Sequence, residues 1–227
     1  MAPSVSVFVQ CPPKLRDGFE RCRASIEASD IGTQYVCAMQ QSGSSVFEHF
    51  LTLLDAMADA DTELVVRLED DVDVNVHFMH NAATWPALHD PRFGVGWLFD
   101  PAGRTFTAHD RSRGRPPSRE IWECNHLAYS LAVVMWRRDV PAVRKSCAHW
   151  YEKHGGDAQD IALSVAPSSF GRSVVVHAPS LVEHMIDMGS TLRHPHSVYA
   201  TSRGTFLREW KRGAPLLDSY GRVVGVM

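Results

Sequence analysis

The amino-acid sequence predicts an α/β fold, a mostly parallel central sheet flanked by helices and built as a single domain. Three observations lead there. Strand-like apolar stretches alternate with segments that carry a helical apolar stripe, the pattern of βαβ units. The third such stretch, Leu64-Val65-Val66-Arg67-Leu68, runs straight into Glu69, Asp70, Asp71 and Asp73, and ligands of open α/β sheets bind at the carboxyl ends of strands. A chain of 227 residues, 44% hydrophobic and 22% charged, has enough apolar material for one substantial core.

Taken in order, Val5 to Val9 alternates like a strand, and Pro12-Pro13 leads into Leu15, Phe19, Cys22 and Ile26, the spacing of one helix face. Gly32 ends that helix, and Gln34 to Met39 reads as a second strand, parallel to the first. After the Ser42-Gly43-Ser44 loop, Ser45 with Glu48 three residues on has the form of a capping box opening an amphipathic helix with Phe47, Phe50, Leu51, Leu54 and Ala58. The acid-tipped strand follows. Beyond it the pattern predicts a helix over Asn75 to Trp85, a turn at Asp90-Pro91 and a strand over Gly94 to Phe99. Asp100 to Glu120, with Arg104, Arg111, Arg113, Arg115 and Arg119 and almost no apolar periodicity, reads as a long loop, either a lid or acceptor-contacting arm or simply disordered. A buried strand over Ala128 to Met135 precedes a helix capped by Asp139, with Pro141 in its first turn. A short helix opening at Asp157 and a strand over Ser173 to His177 complete the core pattern.

Composition narrows the classes. A net charge of −3 gives no global reason to expect a polyanionic partner, although local basic clusters remain. Five scattered cysteines with no CxxC are the usage of reduced, buried thiols, which sets aside a disulfide framework and a zinc ribbon. The N-terminal residues have neither a basic n-region nor a long apolar h-region, and no run approaches ~18 apolar residues. The expectation is a cytoplasmic protein without a membrane partner.

Four acids in the five positions 69–73 repel one another, and a bound cation that neutralises them is the simplest reason to gather them at a strand end. The competing reading is a solvated acidic turn. Asp71-Val72-Asp73-Val74-Asn75 also matches the opening of an EF-hand loop, but Val76 and Ala82 stand where that loop needs Gly and a bidentate Glu. A phosphatase with an aspartyl nucleophile fits only loosely.

The order of the elements, with Leu68-Glu69-Asp70-Asp71-Val72 and Pro179-Ser180-Leu181-Val182-Glu183-His184, resembles nucleotide-sugar-dependent glycosyltransferases of the Rossmann-like GT-A fold. Within them it resembles the branch that includes procollagen galactosyltransferases, lipooligosaccharide glycosyltransferases and N-acetylglucosaminyltransferase IV. There the Leu-Glu-Asp-Asp-Val stretch is the "DxD" metal motif, and a Pro-Ser-Leu-x-x-His stretch, often followed by a Ser-Ser/Thr-Leu element, supplies a late histidine. Ser190-Thr191-Leu192 stands at the matching distance, and the similarity in layout spans Val5 to Leu192.

The resemblance implies one domain over 1–227, with a nucleotide-sugar half (1–75), an acceptor-side half (76–192) and a tail (193–227). It implies Mn²⁺ or Mg²⁺ and a UDP-sugar donor, the cation offsetting charge on the departing diphosphate. Asp71 becomes the primary metal ligand and His184 completes its shell, against the alternative of a histidine satisfied within a loop. Glu69 and Asp70 would contact the ribose or a metal-bound water, and Gln10, Cys11, Pro12 and Ser45 would lie near the nucleotide. Asp160, with Asp157 second, is the candidate base for the acceptor hydroxyl, either acid being equally suited to a helix N-terminus. Trp122 and His126 would line the acceptor side or belong to the core. The acceptor is a glycan, a small molecule or a hydroxymethylated DNA base turned out of its stack. Competing readings are a nucleotide-sugar-binding module without turnover and a metal-dependent phosphoesterase built on the same acids.

Overall fold

The computed structural model describes residues 2–13, 19–99, 130–177, 179–185 and 206–213, with the backbone alone of 122–124, 215–217 and 223–226. Within these the elements run β1 (Val5–Cys11), α1 (Phe19–Ala28), β2 (Tyr35–Met39), α2 (Val46–Ala58), β3 (Leu64–Glu69), β4 (Val72–Val74), α3 (Phe78–Ala83), β5 (Phe93–Trp97) and β6 (Trp122–Cys124). They continue with β7 (Ala132–Trp136), α4 (Val140–His154), α5 (Gln159–Val165), β8 (Ser173–Val176), β9 (Val182–His184), β10 (Pro215–Leu217) and β11 (Val223–Val226).

A seven-stranded sheet in the order β2-β1-β3-β7-β5-β8-β6 forms the centre. Strands β1, β2 and β3 pair in parallel, as do β5 and β8, while β7 runs antiparallel between β3 and β5 and β6 closes the far edge antiparallel to β8. The mostly parallel sheet is the predicted α/β class, and its central strands are nearly continuous apolar runs because both faces are covered. Helix α2 packs on β1 and α4, and α1 packs on β4. The order 2-1-3 means that the chain leaves β1 in one direction along the sheet and returns past it to β3. The crevice between the carboxyl ends of β1 and β3 is therefore a topological switch point, where an open α/β sheet has room for a ligand.

Local chemistry accounts for most boundaries. The Ser45 Oγ accepts the Glu48 N–H at 3.1 Å, and the Glu48 carboxylate accepts the Ser45 N–H at 2.7 Å, so the capping box forms as read. Gly96 in β5 lets Trp85 lie against the strand: a Cβ there would stand 2.6 Å from the indole and 2.7 Å from Val134.

Four expectations are corrected. The helix expected over Asn75 to Trp85 is only the short α3, because Val72–Val74 is drawn into an antiparallel pair with Val182–His184 and Asn75 is held by the carbonyls of Leu207 and Trp210. Asp139 occupies the N-cap position of α4 without a side-chain cap bond, since a 3-10 turn over Arg137–Asp139 already sets it in right-handed helical backbone. The short helix starts at Gln159, with Ala158 rather than Asp157 at its N-cap. Of the predicted thiols, Cys11, Cys22 and Cys147 are buried and reduced, but Cys37 on the edge strand β2 is exposed. Burial pushes the Cys22 and Cys147 thiols up to about 12. The arginine-rich stretch 100–120, His126 and Ser190-Thr191-Leu192 lie outside the described residues.

Candidate metal and nucleotide site

Strand β3 delivers Glu69 to the carboxyl end of the sheet directly beside Gln10 of β1, its register partner. Asp70 and Asp71 form the two-residue turn into β4, and both are buried. The β4–β9 pairing sets Val72 opposite His184, and the Met185 N–H donates to the Asp71 carbonyl at 2.8 Å. These backbone contacts bring His184 Nε2 to 3.4 Å from Asp71 Oδ2, with the two side chains only 12% and 5% exposed. A carboxylate and an imidazole so placed are both hard-to-borderline donors facing one point. Two ligands on one octahedral ion at about 2.1 Å stand about 3.0 Å apart, so the pair fits a small divalent cation with its remaining positions left to phosphate and water. Among the described residues no group of three or more His, Cys, Asp or Glu gathers to hold a metal.

The other acids of the cluster are engaged differently. Asp73 accepts from Ser25 Oγ and from the Arg208 guanidinium, which removes it from the metal candidates and ties β4 to α1 and to the segment around residue 208. Glu69 accepts from Arg67 Nη2 at 3.0 Å. The mutual repulsion of the four acids, for which the sequence offers a bound cation or a solvated turn, is thus relieved in part by two guanidinium groups.

Arg67 itself is the functional-site residue that sequence reasoning passed over. It sits mid-strand in β3 with a relative exposure of 1%. Its Nε donates to Gln10 Oε1 (2.6 Å), Nη1 to the Ser130 carbonyl (2.7 Å) and Ser130 Oγ (2.9 Å), and Nη2 to Glu69 Oε1 (3.0 Å) and Gln159 Oε1 (2.8 Å). All five N–H donors of the guanidinium are used, and its plane lies against the Phe50 ring, 5.4 Å from the centroid. Burying an unpaired guanidinium costs several kcal/mol, and charge-assisted hydrogen bonds of roughly 1.5–3 kcal/mol each offset that cost. A charged residue inside Leu64-Val65-Val66-Arg67-Leu68 was the available signal.

The remaining predicted residues fall into two groups. Gln10 is buried with its side chain on Arg67, Cys11 is fully buried with its Sγ 2.8 Å from that of Cys37, and Pro12 is half-buried just beyond β1. Ser45 and Asp157 both serve the N-terminus of α2, Ser45 through the capping box and Asp157 by accepting the Phe47 N–H at 3.3 Å. Asp160, half-buried in the first turn of α5, accepts the Ile161 N–H at 2.8 Å and is joined to the cluster through its neighbour Gln159. Trp122 lies in β6 at the sheet edge.

Behind His184 the Pro179–Ser180 segment is anchored by His177, which is fully buried among Trp85, Trp210 and Arg212. Its Nδ1–H donates to the Pro179 carbonyl at 2.7 Å, leaving Nε2 to accept from Arg212 Nη2 at 3.3 Å. Burial, reinforced by the Arg212 charge, pushes this imidazole down to about 3.

No protein-family model matches the chain, and no curated protein matches it. Among solved structures it is similar to a glycosyltransferase involved in glycosylation of the major capsid of PBCV-1, at 16% identity and a TM-score of 0.47, over 78% of this chain and 83% of that one. It is similar to GalNAc-T7 with UDP, GalNAc and Mn²⁺ at 8% identity and a TM-score of 0.47, covering 78% of this chain and 42% of that one. An active-site mutant of LgtC overlaps at 12% identity and a TM-score of 0.42, over 89% of this chain and 84% of that one. TM-scores below 0.5 mark partial overlap of chain layout only.

Proposed function

We propose that the chain is a metal-dependent glycosyltransferase of GT-A type that moves a sugar from a UDP-linked donor to a hydroxyl acceptor. The observation that carries the reading is the Asp71–His184 pair, a buried carboxylate and a half-buried imidazole 3.4 Å apart at the carboxyl end of β3. The two sequence stretches that resemble the glycosyltransferase motifs thereby become neighbouring strands, and their acid and histidine converge. The switch-point position beside Gln10 supports a nucleotide there.

On this reading Asp71 and His184 hold Mn²⁺ or Mg²⁺, the imidazole favouring Mn²⁺. The bound ion supplies positive charge against the diphosphate as the glycosidic bond breaks. Residues 1–75 form the donor half and 76–192 the acceptor half, with His184 crossing to the donor side. Glu69 and Asp70 face the ribose or a metal-bound water, and Gln10, Cys11, Pro12 and Ser45 border the nucleotide. Asp160 takes the acceptor proton; Asp157, held at the α2 N-terminus, is the second candidate. The acceptor is a glycan, a small molecule or a hydroxymethylated DNA base, and the compartment is the cytoplasm.

Calorimetry with UDP, GDP and TDP, in Mn²⁺ and again in EDTA, tests the donor class. Metal-dependent, UDP-selective binding is expected, followed by turnover of a UDP-sugar. Binding without turnover makes the chain a nucleotide-sugar-binding module. No nucleotide binding, with cleavage of phosphate esters, makes it a phosphoesterase.

A further inference from the structure

Arg67 joins four segments that reach the carboxyl end of the sheet from separate parts of the chain: the end of β1 through Gln10, the end of β3 through Glu69, the entry to β7 through Ser130, and the first turn of α5 through Gln159. We propose that Arg67 is a positioning residue that sets the spacing between the donor-side groups Gln10 and Glu69 and the acceptor-side turn carrying Asp160. This rests on the glycosyltransferase reading for its consequence in catalysis, though not for the clamp itself.

The geometry supports a clamp over simple charge burial. A planar guanidinium presents its donors in fixed directions, so Glu69 and Gln159 on the two N–H bonds of Nη2, and Gln10 on Nε, are held at set angles and separations, which an ammonium with three rotatable donors cannot reproduce. Glu69 is held by one oxygen: Oε1 accepts from Arg67 and lies 3.5 Å from Ser130 Oγ, while Oε2 takes no hydrogen bond from any described residue and the side chain is 29% exposed. The carboxylate is thus fixed from below with one oxygen presented outward. Gln159 is buried, accepts from Arg67 and donates to the Val46 carbonyl at 3.3 Å, so the turn that bears Asp160 is tied to β3 and α2 by one amide. Misplacement of a reacting group by about 1 Å costs on the order of a hundredfold in rate.

The test compares Arg67→Lys and Gln159→Leu with the wild type in three readouts: amide hydrogen exchange over 158–162, UDP calorimetry with Mn²⁺, and UDP release from UDP-glucose, UDP-galactose and UDP-N-acetylglucosamine. Gln159→Leu cuts the α5 branch, together with the Gln159 bond to the Val46 carbonyl, but leaves Gln10 and Glu69 on Arg67; it is expected to speed exchange over 158–162 and lower UDP release about tenfold or more, with the UDP Kd within about threefold of wild type. Arg67→Lys is expected to lose at least as much rate and to weaken UDP as well, because Gln10 and Glu69 are released together. Both variants folding with wild-type exchange over 158–162 and wild-type turnover overturns the proposal. If Arg67→Lys does not fold, Gln159→Leu decides alone by the same two readouts. A wild-type protein that neither binds nor turns over uridine nucleotides sinks the glycosyltransferase reading instead, while the exchange data still decide the clamp.

Discussion

Acidification exposes the anchor behind His184. His177 has its folded-state pKa lowered to about 3 by burial and by Arg212, against 6.5 for the ordinary imidazole. Above pH 6.5 the imidazole is neutral in both states and contributes no pH dependence. As the pH falls below 6.5 the unfolded chain takes up a proton that the folded one refuses, so stability is lost at about 1.4 kcal/mol per pH unit until the folded group itself titrates. Between pH 7 and pH 4.5 the loss is about two units of titration, or about 3 kcal/mol. That is a large share of the roughly 5–15 kcal/mol that holds a domain together. Among the described residues the groups in contact with the ring are Trp85, Trp210, Arg212 and the Pro179 carbonyl, and none of these is a carboxylate. The assay is urea denaturation at half-unit pH steps for the wild type and for His177→Gln, which keeps polarity without the titration. Carboxylates elsewhere titrate equally in both proteins and cancel in the difference. The wild type is expected to lose about 3 kcal/mol more than the variant over this range; parallel curves would refute the burial and tautomer argument.

Asp71→Ala and His184→Ala should each weaken Mn²⁺-dependent UDP binding by at least about tenfold in calorimetry, whereas Asp160→Ala should leave that binding intact and abolish sugar transfer. Normal metal-dependent binding in the Asp71 variant would remove the metal assignment. Gly96→Ala inserts a methyl 2.6 Å from the Trp85 indole and 2.7 Å from Val134, an overpacking cost of about 1–3 kcal/mol; an unshifted thermal midpoint would count against the packing described. Ser45→Ala removes the hydroxyl half of the α2 capping box and should cost about 1 kcal/mol in chemical denaturation, with no loss if the box is only marginally formed in solution.

The acid cluster divides into distinct jobs once folded. Asp71 meets His184, Asp73 meets Ser25 and Arg208, and Glu69 meets Arg67. In the sequence they read as one charged run with one explanation. The difference follows from the turn at Asp70-Asp71: on one straight strand acids two apart would share a face, but the turn ends β3 at Glu69 and sends Asp73 into β4, which pairs with β9 in a separate sheet. Asp157 and Ser45 illustrate the same limit from the other side. Each carries a residue type suited either to a ligand or to a helix N-terminus, and both meet at the start of α2.

Local pattern was sufficient for the succession of strands and helices through β3, the capping box at Ser45 and Glu48, and the placement of acids at a strand's carboxyl end. Those features depend on periodicity and on side chains reaching backbone groups within a few residues, and such information is contiguous in the chain. The tertiary structure alone decided that β7 enters the sheet antiparallel, that Val72–Val74 pairs with Val182–His184, and which cation or imidazole each acid receives. The deciding contacts join residues 113 positions apart for Asp71 and His184, 135 for Asp73 and Arg208, and 92 for Arg67 and Gln159. Pairing at that separation is set by strand order and register, which local propensity does not encode, so the acids and His184 could be named from the chain as candidates while Arg67, Gln159 and the wiring of the cluster could not.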